Sequence, residues 1–192
     1  MTEIAQDPKL KAILEAAWSA FAAYGFRKTS MDDIANGAAM SRPALYLHFK
    51  NKEDIFRSLC QYFYETQSLT VREALQQPGP QSDVLAAAIM AQGSGLVQEM
   101  MSSPHGLELL DTGKTTARDI AEAGEANLSA IYAQWLARHA ETGAIRLHST
   151  PDLTAEAITS TLKGLKFQAS GYASYHARLS AVAALFGAGI SA

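Results

Sequence analysis

The amino-acid sequence predicts an all-α protein of about nine helices, with a small N-terminal domain over 1–51 and a larger helical domain over 52–192. Three observations lead there. Apolar residues recur every three or four positions along nearly the whole chain. The six prolines are few for the length, which leaves long stretches free of helix breakers. Strand-like alternation is short everywhere, and Asn-Gly occurs only at 36–37, inside a helical pattern.

Bulk properties fit a folded chain with a sizeable core. Of 192 residues, 48% are hydrophobic and 18% charged. The stretch 1–9 is polar and gives no sign of a secretory leader, and no apolar run approaches the roughly 20 residues of a membrane span. Cys60 is the single cysteine, so no internal disulfide framework is possible. Cytoplasmic residence is the expectation. The net charge of −3 argues at first against a polyanionic partner, but its distribution matters more. Residues 1–57 carry +1 and 58–192 carry −4. Within 24–52, Arg27, Lys28, Arg42, Lys50 and Lys52 face only Asp32 and Asp33, a local +3.

Each element has its start and stop signals. Asp7 and Pro8 open the first helix as N-cap and first helical residue, Leu10, Ile13, Leu14, Ala17 and Phe21 set its apolar period, and Gly25 ends it. Thr29-Ser30, followed three residues later by Asp32-Asp33, makes a capping-box-like start for a short helix over 31–38. Ser41 starts a third helix with Pro43 in its first turn, and Asn51 with Asp54 starts a long fourth that meets no breaker until Pro78-Gly79-Pro80. Further helices are expected over 82–101, weakened or kinked at Gly93-Ser94-Gly95, then over 104–111, 117–141, 152–170 and 174–187.

The informative stretch is Thr29 to Lys52: a short capped helix, a tight connection and a second short helix, which is the helix-turn-helix arrangement. Ile34, Ala38, Met40, Leu45 and Phe49 are its apolar positions, expected to seal against Phe21 and Tyr24 of the first helix. Ser41, Arg42, Ala44, Tyr46 and His48 are left for the outer face.

Over roughly 10–59 the chain resembles the TetR family of transcriptional regulators. The resemblance rests on Gly25, Thr29-Ser30, Ile34-Ala35, Met40-Ser41, Leu45-Tyr46-Leu47-His48-Phe49 and Lys52-Glu53, which agree with the family pattern in order and spacing. It departs at Ala39, where the family usually has Gly. Either the turn is slightly reshaped or Ala39 sits in an allowed region. The resemblance implies that Thr29 and Ser30 cap the second helix and touch a phosphate, that Tyr46 and His48 contact the backbone of duplex DNA, and that Lys52 meets a phosphate. Such contacts fix register without reading sequence. Base readout falls to Arg42 and Ala44 with Pro43, because Arg can be bidentate to guanine and small apolar groups touch thymine methyls.

The eighth and ninth helical stretches carry apolar stripes, Ile158, Leu162 and Leu165 in one and Tyr175, Leu179, Val182 and Phe186 in the other. Each also has a stripe of small residues: Ala157, Thr161 and Gly164, and Ala173, Ala177, Ala181 and Ala184. Two such helices per chain could pair across a two-fold axis as a four-helix bundle, the homodimer interface that the resemblance implies. The alternative is packing within the monomer. The resemblance also implies a small-molecule effector held among the fourth to eighth helices. Tyr64, Met90, Met100, His105, Tyr132, Trp135 and His139 are candidates to line its pocket, though each could equally be ordinary core.

The function expected is therefore a DNA-binding regulator, a repressor released from a near-palindromic operator by a small molecule. The alternative is a helical small-molecule binder or interaction module with a vestigial helix-turn-helix. No catalytic, cofactor or metal site is expected: the five histidines lack metal-ligand spacing, and there is no phosphate-binding Gly-rich loop and no Gly-x-Ser-x-Gly. Cys60 reads as a buried small hydrophobe.

Overall fold

Capping chemistry places the first helix where the sequence puts it. Asp7 accepts a hydrogen bond from the Lys9 N–H at 2.8 Å and Pro8 fills the first turn of α1, Pro8–Tyr24. The computed structural model describes residues 7–191. Residues 1–6, most of the polar stretch considered above as a leader, lie outside the described residues, as does Ala192. After α1 come α2 (Met31–Gly37), α3 (Arg42–Tyr46), α4 (Lys52–Leu75), α5 (Gln81–Gln92), α6 (Leu96–Ser102), α7 (Gly106–Thr116), α8 (Arg118–Glu141), α9 (Pro151–Gln168) and α10 (Tyr172–Gly189). The described residues thus hold ten helices and no strand. One more helix forms than expected because the 82–101 run stops altogether at 93–95. Gly95 takes φ +56°, which breaks the helical ladder rather than bending it. No helix among the described residues is long and apolar enough to cross a membrane.

The chain divides into two compact units. The first takes residues up to Glu65 together with Met100–Glu122; the second takes Thr66–Glu99 and the residues from Ala123 on. The boundary expected at 51/52 coincides with the start of α4, whereas the division between units falls inside α4, α6 and α8.

In the first unit, Ile13, Leu14, Ala17 and Phe21 of α1, Ile34 and Ala35 of α2, Leu45 of α3 and Ile55 and Phe56 of α4 share one buried cluster. Leu109 and Ala117 of the later segment join it. Phe21, Phe26 and Phe56 form its aromatic centre, with ring centroids 5.1–5.9 Å apart in tilted and edge-on geometries. Tyr24, expected to help seal this core, is 59% exposed at the last residue of α1, and Phe26 beyond the Gly25 turn fills that role. Gly25 is required there: its φ is +84°, and a Cβ would collide with Glu108 Oε2. Arg57 and Asp119 form a two-pronged ion pair, both N···O distances 2.7 Å, which pulls the Asp119 carboxyl down to about 2.

In the second unit the core is built from Val84, Leu85 and Ile89 of α5, Leu128, Ile131 and Leu136 of α8, Ile158 and Leu162 of α9, and Tyr175 and Leu179 of α10. Two buried polar links tie it together. The Tyr132 hydroxyl donates to Gln92 Oε1 at 2.9 Å, and the Trp135 indole N–H donates to the Leu75 carbonyl at 3.1 Å.

Candidate nucleic-acid interface

The short helices of the first unit are fixed by caps, because neither is long enough to be stable on propensity alone. Ser30 and Asp33 make a full capping box: the Ser30 hydroxyl accepts from the Asp33 N–H at 3.2 Å and Asp33 Oδ2 accepts from the Ser30 N–H at 2.8 Å. The Ser30 hydroxyl, 2.6 Å from Asp33 Oδ2, and the Ser30 N–H together hold the Asp33 carboxyl below the usual aspartate range. At α3, the Ser41 hydroxyl accepts from the Ala44 N–H at 3.3 Å, and Pro43 sits in the first turn where no donor is needed. Between the two helices Ala39 takes φ +53°, so the turn keeps its left-handed residue although the side chain is not glycine.

Within α3 only Leu45 is buried. It anchors the helix, together with Phe49 just beyond, and everything else faces outward. Ser41, Arg42, Pro43, Tyr46 and His48 are exposed, and Ala44 is half-buried. Leu47 is 85% exposed, the highest value among the large apolar side chains of the described residues. It was not among the residues expected at the interface. The signal available was its place between Tyr46 and His48, three residues that one anchored helix end cannot all bury. Arg42 is held in place: Nη1 lies 2.9 Å from Asp32 Oδ2, Nη2 lies 3.4 Å from the Tyr46 hydroxyl, and the guanidinium stands over the Tyr46 ring at 5.6 Å.

Two expected contact residues point inward instead. Thr29 is buried, its hydroxyl donating to the Gly25 and Ala20 carbonyls at 2.8 and 3.2 Å, so the cap of α2 belongs to Ser30 alone. Lys52 directs its ammonium onto three carbonyls of the loop before α2, Phe26 at 2.8 Å, Arg27 at 3.0 Å and Thr29 at 3.0 Å. It also lies over the Phe26 ring at 4.8 Å. An ammonium has three N–H donors, and all three are engaged. The same loop is gripped by its donors as well: the Arg27 N–H donates to Glu108 Oε1 at 3.2 Å, which lowers the Glu108 carboxyl.

The residues expected at a dimer interface divide sharply. Ile158, Leu162, Tyr175 and Leu179 are at most 1% exposed within a single chain. They are core of the second unit, because an apolar stripe at helical spacing is buried first by its own chain. Leu165, Val182 and Phe186 are half-buried. The small-residue stripe of α10 is an outward face, with Ala173, Ala177, Ala181 and Ala184 exposed; on α9 Ala157 is exposed while Thr161 and Gly164 are half-buried, and Leu153 and Leu185 flank the two at 58% and 72%.

The residues expected around an effector fall in both units. Tyr64, half-buried against Phe63, Met100 and His105 belong to the first; Met90, Tyr132, Trp135 and His139 belong to the second. His105 Nδ1 sits 3.0 Å from Glu108 Oε2. Tyr132 is completely buried with its hydroxyl spent on Gln92, so it is a core residue with a satisfied polar tip. Trp135 and His139, with rings 4.5 Å apart, line an open cleft of about 390 Å³ together with Arg72, Gln76, Gln81 and Arg138. Sequence reasoning missed Gln67 and Lys166, both buried in the second unit; Gln67 Oε1 accepts no hydrogen bond, and burial lowers the Lys166 ammonium. Burial pushes the Cys60 thiol up to about 12, which leaves little thiolate.

Comparison with known proteins agrees with this geometry. Residues 13–59 match the family model described as bacterial regulatory proteins, tetR family. The transcriptional activator FasR of Mycolicibacterium smegmatis is 31% identical over 86 residues, 45% of this chain and 39% of FasR. The transcriptional regulator TtgR of Pseudomonas putida is 37% identical over 70 residues, 36% of this chain and 33% of TtgR. The matched stretches thus span well under half the length of these curated relatives. A transcriptional regulator from Cytophaga hutchinsonii superposes with a TM-score of 0.77 at 22% identity, over 97% of this chain and 100% of that one. SmeT, the repressor of the Stenotrophomonas maltophilia multidrug efflux pump SmeDEF, superposes at 0.72 with 19% identity, over 98% and 92%. A SmeT–triclosan complex gives 0.72 with 18% identity, over 97% and 93%. An N-terminal segment of the tetR type, residues 13–59, thus sits inside a fold that these solved structures share.

Proposed function

We propose that this chain is a homodimeric DNA-binding regulator that inserts α3 into the major groove and leaves its operator when a small molecule occupies the second unit. The observation that carries the reading is the sidedness of α3: Leu45 is buried completely, while Arg42, Tyr46, Leu47 and His48 stand in solvent on one short capped rod. A helix presented in this way fits the major groove. Arg42, Pro43 and Ala44 address base edges, and Ser30, Ser41, Tyr46 and His48 address phosphates. With Thr29 and Lys52 turned inward, the exposed cations Arg27, Lys28 and Lys50 take over the phosphate contacts that the resemblance implies for Thr29 and Lys52. Titration of duplex DNA at two salt concentrations tests this: phosphate-anchored binding weakens steeply with salt. Arg42→Ala should cost about 1–3 kcal/mol at a cognate site. Binding that survives both Arg42→Ala and Tyr46→Ala overturns the assignment.

The dimer is proposed through the outward faces of α9 and α10, where small side chains let helices of two copies approach closely and Leu153 and Leu185 supply apolar area. Two α3 helices about 34–36 Å apart then require a near-palindromic operator. Leu185→Glu should turn the dimer into a monomer in sedimentation equilibrium; an unchanged mass overturns this face.

SmeT is named a repressor and has been solved with triclosan, and FasR is named an activator. We read the present chain as a repressor whose effector occupies the second unit, a reading supported there by the cleft at Trp135 and His139 and the buried Gln67 and Lys166. A ligand that fits the DNA-free arrangement better lowers operator affinity by that difference in binding free energy. A thermal-shift screen of small hydrophobic compounds, followed by operator titration, tests it. Hits that raise the melting temperature without weakening DNA binding overturn release by ligand, and a reporter whose expression falls when the gene is deleted overturns the repressor sign.

A further inference from the structure

The Arg42 guanidinium is the one group on α3 able to offer a bidentate fork to a guanine edge. It does not project freely. Asp32, on the preceding helix, accepts from Nη1 at 2.9 Å, and Tyr46, one turn along α3, receives Nη2 at 3.4 Å beneath the cation. Arg42 and Asp32 are both about half exposed, so this pair sits at the surface that the DNA-binding reading presents to a duplex. Five N–H donors belong to a guanidinium, and two are occupied here, leaving three for a base edge. The side chain therefore reaches the groove already oriented. Asp32 also places a negative charge beside it, where a phosphate would otherwise be drawn.

We infer that Asp32 is a specificity-determining positioning residue: it holds Arg42 over Tyr46, away from phosphates, so that the arginine is used for base readout and not for sequence-independent attraction. The inference rests on the DNA-binding reading and goes beyond it. A phosphate would also accept from the free donors, but it carries a negative charge that the Asp32 carboxylate beside Arg42 repels. A guanine edge offers two acceptors to the donors that remain.

The test uses the full-length protein and random-sequence duplex DNA, titrated between low and physiological salt. Wild type is compared with Asp32→Asn, with Glu53→Gln and with Arg42→Ala, alone and combined with Asp32→Asn. Glu53 is an exposed acid in the first turn of α4 and serves as the control for removing one negative charge from the same unit. Asp32→Asn should bind random duplex about 1.4- to fivefold tighter than Glu53→Gln does, the range expected for releasing an exposed ion pair. Its log–log salt dependence should steepen by about one counterion per α3, because a freed Arg42 adds a phosphate contact. Both effects should vanish in the Arg42→Ala background. Selection of bound sequences from a random pool should show a guanine preference in wild type that Asp32→Asn relaxes. If wild type binds duplex but Asp32→Asn matches Glu53→Gln, or if its effect persists without Arg42, the inference is overturned while DNA binding stands. If wild type binds no duplex in a salt-dependent way, DNA binding itself falls and takes the inference with it.

Discussion

Helices α3 and α10 carry comparable fractions of large apolar and aromatic side chains, yet they use them in opposite ways. The five residues of α3 bury one leucine, leaving Tyr46 and the following Leu47 in water. The eighteen residues of α10 turn Tyr175, Leu179 and Ala183 into their own unit and leave alanines and a single leucine, Leu185, outside. Length explains the difference. A long amphipathic helix has a continuous stripe, and the surrounding chain covers it. A helix of little more than one turn has a single anchor point, so its other large residues stay exposed. An exposed tyrosine or leucine on α3 therefore points to a partner, while the stripe on α10 points to the core.

The largest test of this contrast is Leu179→Ala against Leu185→Ala. The first removes a completely buried side chain and should cost about 2–5 kcal/mol in urea unfolding. The second, 72% exposed in the single chain, should change the folding stability of a monomeric variant by less than about 0.5 kcal/mol. Equal costs would break the comparison. Next comes Lys52→Met, which removes three carbonyl partners and should destabilise the first unit by about 1–3 kcal/mol while leaving the salt dependence of DNA binding unchanged. A shallower salt slope would return Lys52 to the list of phosphate contacts. Ala39→Gly relieves a left-handed backbone at a cost in chain entropy, with a net gain of about 0.5–1 kcal/mol in thermal or urea unfolding expected. A loss would mean that the turn tolerates alanine without strain.

The smallest effect is in acid. Arg57 holds Asp119 near 2 against an ordinary 3.8, so between those values the unfolded chain binds the proton that the folded chain refuses. The pair's contribution is complete above 3.8 and is lost as pH falls toward 2. Arg57→Ala should flatten the pH dependence of stability in that window, measured by urea titration at fixed pH; an unchanged slope would show that the exposed pair is screened out.

Much of the first unit was legible in the sequence because caps are local chemistry. Ser30 with Asp33, Ser41 before Pro43, and Asn51 with Asp54 each declare a helix start within four residues, and each makes the expected hydrogen bond. The inward turn of Thr29 and Lys52 was not legible, since both depend on carbonyls brought near by the fold of a loop up to 26 residues away in sequence. In the second unit periodicity located the helices but could not say which stripe meets the chain's own core. The apolar stripe and the small-residue stripe of α10 have the same period, and only the packed structure shows that Leu179 lies inside and Ala181 outside. The stop at 93–95 had its glycines in view, but whether a helix bends or ends there depends on the left-handed turn that Gly95 takes.

A lysine whose three protons are all engaged is also a slow target for amine-reactive reagents. Acylation needs an amine that the reagent can reach, and Lys52 can offer one only when the loop at 26–29 lets go of it. Its labelling rate, set against that of exposed Lys28 and Lys50 on the same unit, thus measures how often the head opens locally. One natural side chain is in this sense a built-in gauge of the integrity of the segment that precedes α2, readable by mass spectrometry without any added probe.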